Sequence, residues 1–94
     1  MITIVGKTEC GKYCVSGLFH LQTSIGLPLD IIVEELKSHD LVPAWDRYVW
    51  EALDGGWFGD TIYKTLIQQD LDIPYIKMTM LQVLQQYKYP DEEN

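Results

Sequence analysis

The sequence predicts a mainly α fold, a compact bundle of four to five short helices with a small N-terminal β element, strand or hairpin. Three observations carry that prediction. Beyond Leu18, apolar residues recur at spacings of three and four. Glycine or proline marks the junctions, at Gly26, Pro28, Pro43, Gly55-Gly56 and Pro74. The opening residues Met1–Val5 are instead rich in β-branched side chains, the composition of a strand.

Tyr13–Ile25 admits two readings. As a strand, Tyr13, Val15, Gly17 and Phe19 alternate to one face and would form a hairpin with Met1–Val5. As a helix, Cys14, Leu18, Leu21 and Ile25 share a face that Gly26 terminates. The reading that reconciles them closes a short hairpin near Cys10-Gly11, then lets Ser16 cap a helix over Gly17–Ile25.

The remaining elements are clearer. Over Pro28–His39, Leu29, Ile32, Val33 and Leu36 fall on one face, while Ile31 lies outside that stripe. Over Pro43–Leu53, Trp45, Tyr48, Val49, Ala52 and Leu53 share an arc, with Pro43 suited to the first turn and Gly55-Gly56 to the stop. Asp60–Gln69 gathers Ile62, Tyr63, Leu66 and Ile67, with Asp60 as the expected N-cap. Pro74–Tyr87 gathers Ile76, Met80, Val83, Leu84 and Tyr87. Residues 1–88 therefore read as one helical domain, and 89–94 as a flexible acidic tail.

Charge and size narrow the function. The 94 residues carry 14 acids against 7 lysines and arginines, a formal charge of −7. Such a surface repels phosphate backbones, so direct nucleic-acid binding is not expected. Two cysteines, with no framework of several disulfides, suit a reducing compartment. Neither a signal peptide nor an apolar run of spanning length is visible, so the expected location is cytoplasmic with no membrane partner.

One motif advertises chemistry. Gly6-(x)4-Gly11-Lys12 has the glycine and lysine spacing of a phosphate-binding loop. In such loops successive backbone N–H groups wrap a phosphate, and a final serine or threonine holds magnesium. Here Tyr13 stands at that final position, and the chain is short for a parallel sheet with crossover helices at about 30 residues each. Gly6, Gly11 and Lys12 therefore remain an alternative phosphate or nucleotide site, with turn structure preferred.

Other constellations are weaker. Cys10 and Cys14 have zinc-compatible spacing, but His20 and His39 lie far apart, so small buried thiols, surface histidines and no metal are expected. No nucleophile elbow or His-Glu-x-x-His pair occurs, and Glu34-Glu35 read as a solvated face, so no catalytic residue and no cofactor is assigned. The remaining signal is aromatic. Trp50 falls about 140° from Trp45 on a helical wheel, at the edge of the core arc or beyond. Trp57 and Phe58 sit between Gly56 and Gly59.

Aromatic side chains in such places add large contact area at little rotamer cost. The function expected is a small acidic, non-catalytic module that binds another protein and inhibits or recruits it. Its partner-binding residues would be Trp50, Trp57, Phe58, Arg47, Glu51 and Asp54. Size and charge suit a phage- or plasmid-encoded inhibitor of host nucleic-acid machinery. Met78 and Leu81 project off the core stripe of the last helix, which also allows a homo-oligomer through Tyr75–Tyr87.

Overall fold

A computed structural model describes residues 2–92, with the side chains of 88–92 excepted. The chain is mainly helical with a small three-stranded sheet near its N-terminus. It divides into two compact units, one reaching Tyr48 and the other starting at Val49.

The first unit opens with a hairpin. Strand β1 (Thr3–Lys7) pairs antiparallel with β2 (Tyr13–Ser16), matching Thr3 to Ser16 and Lys7 to Tyr13. The register slips between Ile4 and Gly6, so β1 carries a bulge at Val5. β2 then pairs in parallel with β3 (Leu41–Pro43), giving the order β1-β2-β3. Val15 in the central strand is fully buried, whereas every residue of β1 is exposed.

β3 corrects the placement of Pro43, which is the last residue of a strand rather than part of a helical first turn. Proline lacks an N–H, so it tolerates this edge position. The next residue, Ala44, donates its N–H to the Val15 carbonyl at 2.8 Å.

Between β2 and the second helix lies the segment with two readings, and each held for part of it. Helix α1 (Leu18–His20) buries Leu18 and Phe19, and a π-helical stretch follows over Leu21–Ile25. The cap is Gly17 at φ 104° with no side-chain hydrogen bond, so Ser16 does not cap this helix. Within the π-helical stretch the Thr23 hydroxyl donates to the Phe19 carbonyl at 2.9 Å. Gly26, at φ 82°, ends it with its N–H on the Leu21 carbonyl. Ile25, expected on the apolar face, is exposed.

Helix α2 (Leu29–Ser38) follows its amphipathic pattern, with Leu29, Ile32 and Leu36 buried. His39 caps it, and Asp40 takes a left-handed conformation at φ 61° to leave the helix. Helix α3 (Trp45–Asp54) begins in this unit. There Tyr48 packs edge-on against Phe19 and Trp45, with ring centroids 5.9 and 5.6 Å apart.

In the second unit, α3 ends in a Schellman turn. Trp57 donates its N–H to the Ala52 carbonyl and Gly56, at φ 93°, donates to Leu53, each at 3.0 Å. Helix α4 (Gly59–Gln68) buries Ile62 and Leu66, while Ile67 is 39% exposed and outside the core. Its N-cap is Phe58, and Asp60 lies in the first turn, where its charge still suits the helix dipole.

Helix α5 (Ile73–Glu92) packs on α4, and its buried residues are Ile76, Thr79, Met80 and Val83. Its backbone continues through residue 92. Of the acidic tail expected over 89–94, Glu93 and Asn94 and all the side chains lie outside the described residues.

Candidate functional site

The hairpin loop was the first candidate. Gly6 sits inside β1, paired with Cys14, rather than at the start of a phosphate loop. Gly11 forms the turn, with φ 88°. Thr8 donates its N–H to the Lys12 carbonyl at 2.7 Å and Gly11 donates to the Thr8 carbonyl at 3.0 Å. Lys12 donates its N–H to Thr8 Oγ1 at 3.1 Å. Three of the loop's donors are thus engaged within the hairpin. A strand follows the loop, whereas a phosphate loop leads into a helix N-terminus. The Lys12 ammonium lies 3.4 Å from Asp40 Oδ1, and Lys7 stands 5.2 Å over the Tyr13 ring.

The cysteines differ from expectation. Cys10 is exposed at the loop, where a hairpin tip has no core to hide it, and Cys14 is half-buried in β2, both as free thiols. Both histidines are exposed; His39 Nε2 lies 3.2 Å from Glu35 Oε2. Among the described residues no three His, Cys, Asp or Glu side chains converge as a metal site.

The aromatic residues are arranged unequally. Trp50 is half-buried and packs edge-on against Tyr87, with centroids 5.1 Å apart. Trp57 is half-buried, and its backbone is fixed by the Schellman turn. Phe58 is 80% exposed, immediately before α4. An aromatic side chain so solvated leaves most of its hydrophobic area in water. Glu51 is half-buried and Asp54 exposed, both on the last turns of α3. Arg47 is exposed on α3, one turn before Glu51.

Two further features complete the surface. On α5, Tyr75, Met78 and Leu81 are 45, 63 and 59% exposed. Met78 and Leu81 lie about 140–160° around the helix from Ile76. In the first unit, a half-open cavity of about 300 Å³ is lined by Leu21, Leu27, Ile31, Ile32, Leu36 and Glu35, among others. Sequence reasoning missed that cavity. Its one visible trace was Ile31, an apolar residue off the α2 stripe.

No helix among the described residues is long and apolar enough to cross a membrane. Comparison with protein-family models, with curated proteins and with solved structures gives no match.

Proposed function

We propose that this chain is a cytoplasmic, non-catalytic module that binds another protein through the aromatic corner of its second unit. Phe58 and Trp57 act as anchors, with Trp50, Arg47, Glu51 and Asp54 as the further contact residues. The observation that carries the reading is the 80% exposure of Phe58 beside a turn whose hydrogen bonds fix its position in the chain. An aromatic side chain has only two torsions to lose, so docking costs it little conformational entropy.

The acidic balance directs the choice of partner. A charge of −7 favours a basic protein surface and disfavours nucleic acid. A nucleic-acid-handling enzyme of a host, inhibited or recruited by a phage- or plasmid-encoded chain, fits that description. Affinity capture with wild-type and Phe58→Ala baits tests the corner. A partner retained by the first and lost by the second supports it, and equal retention refutes it.

The phosphate-loop alternative is the weaker reading, since the loop's N–H groups at Thr8, Gly11 and Lys12 are spent within the hairpin. Self-association through Tyr75–Tyr87 is favoured by one observation, the exposed Met78 and Leu81. Sedimentation at rising concentration tests it, and a constant monomer mass rules it out.

A further inference from the structure

The cavity of the first unit has an unusual chemical makeup. Its floor is aliphatic, with Ile32 and Leu36 buried at 4 and 5% exposure. Two of its apolar lining residues remain open to solvent: Leu27 is 38% and Ile31 51% exposed. Its size, about 300 Å³, lies at the lower end of small-ligand sites.

The walls are held by backbone features. Leu21 begins the π-helical stretch, whose wide turn is a rare geometry that recurs at functional sites. Gly26 closes that stretch in a left-handed conformation, and Leu27 then donates its N–H to the Leu21 carbonyl at 3.4 Å. These bonds bring Leu21 and Leu27 to opposite ends of one short loop, both lining the cavity.

Among the described residues Glu35 supplies the only ionisable side chain of the lining. Its Oε2 lies 3.2 Å from His39, leaving Oε1 for a further partner. Glu34 and Glu35 flank Ile31 on the surface of α2, about 60° and 40° away. Lys37, the lysine of α2, lies about 160° from Glu35. The α2 side of the rim therefore carries carboxylates, Glu35 being met at 3.2 Å by His39, and an anionic head group there would meet Glu35 with Lys37 turned away.

We propose that this cavity binds a small cationic amphiphile, its alkyl chain among Leu21, Leu27, Ile32 and Leu36 and its ammonium group beside Glu35. The chain would recover apolar area that Leu27 and Ile31 now leave in water. The head would form a charge-assisted contact at the open Glu35 oxygen. This site lies in the first unit and is independent of the aromatic corner.

The test is a methyl and amide NMR titration of the full chain with octyltrimethylammonium and, in parallel, octyl sulfonate, both below micelle-forming concentrations. Saturable shifts confined to the lining at Ile2, Leu21, Leu27, Ile31, Ile32 and Leu36 are expected with the ammonium compound, with the sulfonate at least tenfold weaker. Glu35→Gln, a change at an exposed side chain, should lower the ammonium affinity severalfold and narrow the gap between the two. Equal affinities, shifts centred elsewhere such as Met78 and Leu81, or no saturation would each overturn the proposal. So would an unchanged ammonium affinity in Glu35→Gln.

Discussion

The Tyr48 hydroxyl donates a 2.6 Å hydrogen bond to Gln22 Oε1, tying the first turns of α3 to the π-helical stretch. Tyr48 is 1% exposed, so the amide oxygen is the partner that its buried hydroxyl finds within the first unit. Removing the hydroxyl leaves that oxygen to find water. Tyr48→Phe should destabilise the protein by about 1–2 kcal/mol, read by urea unfolding, with little change in fold by circular dichroism. No measurable loss would mean that the bond contributes nothing net.

The same burial sets a pH dependence. Taking the phenol out of water pushes Tyr48 up from 10.0 to about 12. The unfolded chain thus releases this proton at lower pH than the folded one. The stabilising contribution is complete below about pH 10, is lost as pH rises from 10 to 12, and is level above. Wild type should therefore lose melting temperature across that window more steeply than Tyr48→Phe. Parallel curves would contradict the assignment.

Trp50 and Phe58, grouped together by sequence, should separate on mutation. Trp50 stacks edge-on with Tyr87, so Trp50→Ala should cost about 2–4 kcal/mol of stability. Phe58 at 80% exposure should cost under about 0.5 kcal/mol when truncated. Thermal melts of both variants check the contrast, and a large loss for Phe58→Ala would make it a structural residue.

What the sequence disclosed follows from physical range. Leu29, Ile32 and Leu36 announced α2 because their spacing is local, and Gly56 announced the end of α3 because only glycine enters a left-handed turn without strain. β3 was hidden, since three residues ending in proline form a strand only through pairing with Tyr13–Val15 far along the chain. The π-helical stretch over Leu21–Ile25 was hidden too, because one register step in the backbone ladder leaves no mark on the apolar spacing. In the candidate site, the glycine bracket pointed to Phe58. Nothing near Trp50 indicated Tyr87.

Asp70 offers a test of backbone strain. It leaves α4 with φ 61°, a conformation that costs a side chain energy and glycine almost none. Asp70→Gly should raise stability by up to about 1 kcal/mol. A clear loss would show that the aspartate makes a compensating contribution.

Lys12 bears on the phosphate alternative. Its pair with Asp40 is exposed at 50 and 79% of the two side chains, so Lys12→Ala should change stability by well under 1 kcal/mol. Partner binding should also be unchanged. Lost function in a folded Lys12→Ala protein would restore the phosphate site.

The central claim is that Phe58 anchors a partner. The direct measurement is the dissociation constant of the captured partner by calorimetry, beside the melting temperature, for wild type and Phe58→Ala. The account predicts binding weakened roughly thirtyfold, equivalent to about 2 kcal/mol, at an unchanged melting temperature. Affinity equal to wild type in the folded Phe58→Ala protein would contradict it.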